Sequence, residues 1–438
     1  MPTTPSFPRR RLLRSACLAG LRLAVLLAAL SVVLCVVLWA VLRAALAPQA
    51  GEWATTLGRG PLQLRASVPQ LVWLATTPWI GQRLHGLRLS TRIGPVTLGW
   101  AEPHAGYPHG TLTLRCQPCA LPLPAALGAD VLRLPAAQLS LARAITHVNG
   151  QHLSGQLWLG THRVAGDEPP FITARWQAQR QGSGWQTQVQ WPETPVRHWL
   201  ALLAPSLPEL AHARIDGSLA LHAQLHLPEG RLSLDPVLHG LAVQGLGTAH
   251  WAHLQSSCGP HVRLNPRGWL ARAVLAAEDQ RFDQHPGYDL PELLAALALN
   301  QQHATIRRGG STLTQQLAKL LVTGGQRTLT RKLREWLYAI EMERTLGKAR
   351  ILQLYLNLAP WGTTADGRTL CGAEAAARHW FGVPAQRLTP AQAVTLAAML
   401  RQPAQGLNVP LHRRLWVAEQ VRGVPARQRA RLLAQLAD

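Results

Sequence analysis

Twenty consecutive residues without a formal charge, Leu23 to Leu42 (LAVLLAALSVVLCVVLWAVL), form the most apolar stretch of the chain. At about 1.5 Å rise per residue they make a helix of roughly 30 Å, the thickness of one bilayer core. Arg9, Arg10, Arg11 and Arg14 precede the run, and flanking positive charge stays on the cytoplasmic side, so the remainder is expected outside. The rival reading is a cleaved signal peptide with Ala45-Leu46-Ala47 as its processing site. Signal cores span only about 7–15 residues, which favours an uncleaved anchor. No second run of this length follows.

From about residue 52 to 250 the pattern has period two. Leu87 to Ser90, Thr111 to Leu114 and Ser218 to Leu227 alternate apolar and polar, and Trp185, Thr187, Val189 and Trp191 are expected on one strand face. Gly and Pro punctuate these runs, which predicts an antiparallel sheet. His222 and His226 lie four apart. In an extended strand that separates them by roughly 13 Å, so they read as ordinary strand residues.

Near residue 260 the period changes to that of a helix. The sequence predicts a helix from Arg272 to Phe282, and a second capped by Asp289 with Pro291 in its first turn. A third is capped by Ser311 or Thr312 and runs through Leu321. A long one follows from about Thr328 to Leu346, and another starts at Thr389-Pro390 and runs through Leu400. The expected fold class is a multidomain α and β protein. It comprises an anchor (1–47), a β-rich antiparallel middle domain (48–258) and an all-α C-terminal domain (259–438).

Charge sharpens this division. The chain of 438 residues has 44 Lys+Arg against 22 Asp+Glu, and residues 260–438 hold twenty-four of the basic and twelve of the acidic side chains. All three lysines, Lys319, Lys332 and Lys348, sit there as well. Such an excess points to a polyanionic partner, met mainly by the C-terminal part. The cysteines suggest a local disulfide, Cys116–Cys119, and a longer one, Cys258–Cys371, in an oxidising compartment.

Three clusters carry chemistry. Glu278-Asp279-Gln280-Arg281-Phe282 leads to His285, Gly287 and Asp289. Gly309-Gly310-Ser311-Thr312 opens a polar helix with Gln315, Gln316 and Lys319. Arg327, Arg331 and Glu335 recur every four residues and share a helix face, with Lys332 beside them. A glycine-preceded helix start suits phosphate. Two separate carboxylates, Glu278 and Glu335, suit glycosyl transfer or glycoside cleavage.

Together these segments resemble glycosyltransferase family 51, the peptidoglycan polymerase module of class A penicillin-binding proteins and monofunctional transglycosylases. The pattern Glu-Asp-x-x-Phe-x-x-His-x-Gly-x-Asp is met by Glu278, Asp279, Phe282, His285, Gly287 and Asp289. The Gly-Gly-Ser-Thr-aliphatic-Thr-Gln-Gln segment stands at Gly309 to Gln316, and Arg-Lys-x-x-Glu at Arg331, Lys332 and Glu335. Ile351, Leu352, Tyr355, Leu356 and Asn357 follow, then Glu374 to Arg378 with Phe381 and Gly382. The resemblance covers about residues 262–405.

The resemblance implies a lysozyme-like α domain against the membrane, with lipid II as substrate and the growing glycan strand as partner. Glu278 would be the general base, with Asp279 and Phe282 in its motif. Lys319, Arg327 and Arg331 would receive the pyrophosphate. Glu335 would orient these cations or hold a divalent metal, Mg or Mn; no tightly bound cofactor is implied. Ser311, Thr312, Gln315 and Gln316 would line the donor site. The implied location is the bacterial inner membrane, single-pass, with the catalytic domain in the periplasm. The middle domain, residues 48–258, reads as a structural spacer or stalk, or as a binding surface for a cell-wall synthesis protein or for lipid, and no nucleic acid is involved.

Three departures from the family pattern stand out. They are Gln353 in place of Glu, a loop about five residues longer after Trp361-Gly362, and Val383 in place of the lysine after Phe-Gly. No lysine has Ser three residues before it, and no Lys-Thr-Gly occurs, so this chain has no Ser-x-x-Lys nucleophile. Two alternatives stay open: a non-catalytic lipid II or cell-wall scaffold, and a lysozyme-like glycan-cleaving enzyme.

Overall fold

The computed structural model describes residues 9–49, 52, 54–57, 63–102, 110–122, 131–143, 152–160, 171–182, 184–255, 260–303, 308–324, 328–364 and 367–437, with side chains from residue 24 onward except at 57, 122 and 143. The uncharged run lies inside α1 (Arg9–Ala45). Its segment Ala24–Ala45 is the one helix among the described residues long and apolar enough to cross a membrane. Beyond it, β1 (Ala54–Leu57) pairs with β2 (Leu64–Ser67). Leu46, Leu64 and Ala66 make a small core with Trp39 of α1 and Leu71. Ser67 caps α2 (Val68–Ala75), its Oγ accepting from the Gln70 N–H with Pro69 in the first turn. Then comes α3 (Pro78–Leu84), again opened by a proline.

The alternating segments form one nine-stranded antiparallel sheet. Its strands are β3 (Arg88–Thr91), β4 (Gly94–Ala101), β5 (Thr111–Cys116), β8 (Ala137–Arg143), β9 (His152–Gly160), β10 (Phe171–Gln181), β11 (Gly184–Pro195), β12 (Arg214–Leu227) and β13 (Arg231–Gln244), each beside the one before it. The hairpin β6 (Cys119–Pro122) with β7 (Val131–Leu134) leaves the sheet between β5 and β8. The expected Cys116–Cys119 disulfide is formed at its base. Cys258 lies outside the described residues, and with it the second expected pairing.

Register sorts the two faces. Gln156, Arg175, Gln190, His222 and Asp235 line up across five strands on one face. Leu153, Ala178, Thr187, Leu225 and Leu232 line up on the other. His222 and His226 share the polar face, as ordinary strand residues. The pairing of β12 with β13 shifts between Asp216 and Ser218. Gly217 between them has φ +104°, and a Cβ there would stand 2.7 Å from the Leu241 Cα.

The apolar face is covered in part by α4 (Val196–Leu203), which buries Val196, Trp199, Leu200 and Leu202. Past residue 260 the chain is helical: α5 (Trp269–Glu278), α6 (Leu290–His303), α7 (Leu313–Ala318), α8 (Leu329–Thr345), α9 (Gly347–Leu358), α10 (Ala373–Phe381), α11 (Pro390–Met399), α12 (Leu411–Gln420) and α13 (Ala426–Ala437). A short hairpin, β14 (Pro360–Thr363) with β15 (Thr369–Cys371), interrupts them. The extended loop after Gly362 is therefore a small two-stranded element rather than part of an all-α unit.

The two large parts share a core. Leu337 and Ile340 of α8 pack with Val196 and Leu200 of α4 and with Ile215 and Val243 of the sheet. Polar contacts reinforce this seam: Arg334 Nε donates to the buried Glu209 at 2.7 Å, and Arg350 Nη2 donates to the Leu254 carbonyl at 2.7 Å.

Two helix ends differ from the sequence expectation. The helix predicted from Arg272 to Phe282 spans Trp269–Glu278, because Asp279 leaves helical geometry and turns its carboxylate inward. The third predicted helix ends at Ala318 and continues as a wider turn over Lys319–Thr323. The other predicted starts hold: Asp289 Oδ1 accepts from the Glu292 N–H, and Thr328 and Thr389 cap α8 and α11.

Candidate active site

Glu278 is the last residue of α5, and α11 and α12 pack against that helix. Its carboxylate accepts from Gln316 Nε2 at 3.1 Å. The other side of the same amide, Gln316 Oε1, accepts from the Tyr355 hydroxyl at 2.9 Å. Arg413 of α12 brings Nη2 to 3.9 Å from Glu278. The Glu278 side chain is 14% exposed. Burial raises its carboxyl above the ordinary range, working against the Gln316 hydrogen bond and the charges of Arg413 and Arg401, while Asp279 adds to the rise. Tyr355 is pushed well above the ordinary phenol value by burial, and the Glu278 charge adds to it. The Tyr355 hydroxyl is therefore a fixed donor.

Asp279 anchors the start of α7. Its Oδ2 accepts from the Leu313 N–H at 2.8 Å and lies 3.0 Å from His285 Nε2, and both side chains are buried. Phe282 is buried beneath them, with the Lys348 ammonium 4.3 Å from its ring centroid. Lys348 donates to the His285 carbonyl at 2.7 Å and to Glu343 at 2.9 Å. Asp279 and Phe282 thus hold Glu278 and α7 in place through buried contacts.

The Gly-Gly-Ser-Thr segment builds the α7 terminus. Thr312 Oγ1 accepts from the Gln315 N–H at 3.2 Å, and Gln315 Oε1 accepts from the Thr312 N–H at 3.1 Å. Thr312 also donates to the Gly287 carbonyl at 2.7 Å. The side chains of Thr312 and Gln315 are thereby occupied in capping, whereas Gln316 points to Glu278. Lys319 is exposed one turn after Gln316 on the same helix face, with no partner among the described residues.

On α8, Glu335 is 1% exposed yet charged on both sides. Arg331 Nη1 donates to Oε1, Lys332 Nζ donates to Oε2 at 2.7 Å, and Thr323 adds a weaker bond at 3.4 Å. Lys332 also donates to Ser311 Oγ, which ties α8 to the start of α7. Arg327 lies outside the described residues. Both Glu335 oxygens are taken by cationic donors, a setting that does not suit a divalent metal. Among the described residues no group of three or more His, Cys, Asp or Glu side chains stands close enough to hold one.

Three contributors were not singled out from the sequence as site residues: Lys332, Tyr355 and Arg413. The first two stand inside recognisable motifs. Arg413 lies well beyond them in sequence, and nothing in its surroundings marks it. Gln353, the departure in the fourth motif, has a structural task. Its amide accepts from the Leu264 N–H at 3.1 Å and donates to the Val262 carbonyl, a two-way stitch that needs both a donor and an acceptor.

A sequence profile described as Transglycosylase matches residues 265–422, the span that holds every residue of this site. A biosynthetic peptidoglycan transglycosylase of Alcanivorax borkumensis is 49% identical over 135 residues, 31% of this chain and 53% of that protein. One from Nitrosomonas eutropha is 45% identical over 134 residues, with the same coverage, 31% and 53%. The chain thus spans about half the length of these two relatives. One from Nitrosospira multiformis is 36% identical over 179 residues, 40% of this chain and 73% of that protein. On these matches, and on the five motifs they include, the chain belongs to the transglycosylase family.

Proposed function

We propose that the protein polymerises lipid II into glycan strands and has no transpeptidase activity. The observation that carries this reading is a buried carboxylate, Glu278, bonded to α7 through Gln316, while α7 is bonded through Ser311 to the cationic cluster of α8. A carboxylate with a raised pKa is a stronger base, which suits removal of a hydroxyl proton.

In this reading Glu278 takes the proton from the 4-hydroxyl of the acceptor sugar. The freed oxygen bonds to the donor's anomeric carbon as the bond to pyrophosphate breaks, with inversion. Undecaprenyl pyrophosphate departs with the electron pair. Lys319, Arg331 and Lys332 meet the charge that develops on it, where preorganised cations act most strongly. Glu335 holds two of these cations in place. Ser311 and Gln316 face the donor, while Thr312 and Gln315 keep the helix end in shape. The helical part is read as the lysozyme-like fold, on the outer face of the inner membrane. A cell-wall synthesis partner for residues 48–258 belongs to the same reading.

The test is a purified-protein assay with fluorescent lipid II. The parent protein yields glycan strands resolved on a gel, and Glu278→Gln yields none. Strands formed equally by Glu278→Gln would remove the base from the mechanism. Soluble fragments released from finished peptidoglycan, with lipid II untouched, would point to glycan cleavage instead.

A further inference from the structure

We infer that α2, α3 and edge strand β3 form a foot that lies in the interface of an anionic lipid bilayer, beside the membrane-spanning helix. The inference rests on α1 crossing that bilayer and is independent of the catalytic reading.

The first observation is continuity. The Ser67 N–H donates to the Leu46 carbonyl at 2.8 Å, so α2 begins where the helix ends. Trp39, near the outer end of the apolar span, packs on the small core that also takes Leu71 of α2. The foot therefore sits at the level where the bilayer gives way to water.

The second is what the foot exposes. Trp79 is 66% exposed, and Trp73, Leu74, Leu87 and Leu89 are each more than a third exposed. These side chains come from α2, α3, the turn after α3 and β3, and Val72 of the same α2 faces the sheet core instead. Large exposed apolar patches mark interaction surfaces, and tryptophans with a polar edge favour the bilayer interface.

The third is charge. Arg65, Arg83, Arg88 and Arg92 stand in or beside the foot, against one carboxylate, Glu102, which accepts from Gln82 Nε2 of α3 at 3.0 Å. The Arg83 guanidinium lies 5.3 Å from the Trp79 ring centroid, an arginine stacked on an interfacial aromatic. Apolar side chains beside an excess of arginine over acid fit a layer of acyl chain ends beneath phosphate headgroups. Two attachments, α1 and the foot, would then fix the tilt of the sheet above the membrane.

The test uses the full chain labelled with 5-fluorotryptophan in nanodiscs of phosphatidylethanolamine and phosphatidylglycerol. Fluorine resonances are assigned with Trp39→Phe, Trp73→Phe, Trp79→Phe and Trp361→Phe. Lipids carrying a nitroxide near the glycerol should broaden Trp39, Trp73 and Trp79 and leave the buried Trp361 sharp. Exchanging phosphatidylglycerol for phosphatidylcholine should weaken the broadening of Trp79 about twofold or more, because the surface then loses the net negative charge that the arginines meet. Broadening of Trp39 without Trp79 would overturn the foot. A sharp Trp39 would overturn the membrane span on which it rests. Equal broadening of Trp79 in the two lipids would overturn the role of the arginines.

Discussion

Both carboxylate oxygens of Glu341 accept from the backbone N–H of Leu246, at 3.0 and 3.2 Å. The Gly245 N–H adds a third bond at 3.0 Å. Glu341 belongs to α8, and Leu246 follows the last strand of the sheet. Glu341→Ala leaves the buried Leu246 N–H without a partner, at about 1–3 kcal/mol, and removes the bond to the exposed Gly245 N–H as well. The expected result is a loss of roughly 3 kcal/mol in stability, read by urea titration in detergent.

Glu278→Gln should make the protein inactive and more stable at neutral pH. Burial raises the folded-state pKa of Glu278 above its unfolded value, so the folded protein holds that proton more tightly. The stability this gives is fully present below the unfolded value. It is lost as pH rises through the folded one. Glutamine carries no charge to bury, so the variant should gain on the order of 1 kcal/mol at pH 7.5 and little at pH 4. Melting curves at the two pH values read the difference.

Removing Arg413 should change the pH profile rather than the peak rate. Its guanidinium is one of the groups that oppose the rise at Glu278, and it is held in place by the Ala277 carbonyl at 3.2 Å and the Trp416 ring. Arg413→Met should therefore shift the acid limb of polymerisation to higher pH. A tenfold drop near pH 6 with about a twofold change near pH 9 is the expected scale. Arg413→Lys should fall between. A uniform loss across the range would mean that Arg413 serves packing alone.

Glu335→Gln tests the cation cluster. The variant keeps the shape but loses the charge that holds Arg331 and Lys332. Polymerisation should fall about 100-fold, the scale of losing one preorganised charge contact, with lipid II binding much less affected. Initial rates over a substrate series separate the two effects.

The apolar run, the alternating strands and the motif-bearing helices were all legible, because each follows from local periodicity or capping. Alternation alone placed Trp185, Thr187, Val189 and Trp191 on β11. What escaped depends on contacts distant in sequence. The α5 helix stops at Glu278 because Asp279 bonds to Leu313, thirty-four residues ahead. The roles of Thr312 and Gln315 split from that of Gln316 only when the cap is seen in three dimensions. Arg413 meets Glu278 through the packing of α12 on α5. The seam between α8 and the sheet was invisible because Leu337 and Ile340 read equally well as the inner stripe of any helix.

That seam bears on how the helical part can be handled. The face of α8 opposite Arg331 and Lys332 is closed off by residues from the strands and from α4. Cutting the polypeptide just ahead of residue 260 would bare Leu337 and Ile340 to water and leave the Arg334 guanidinium without Glu209. The isolated fragment should clump or melt early. Excision of the helical part would demand replacement of that stripe with polar side chains.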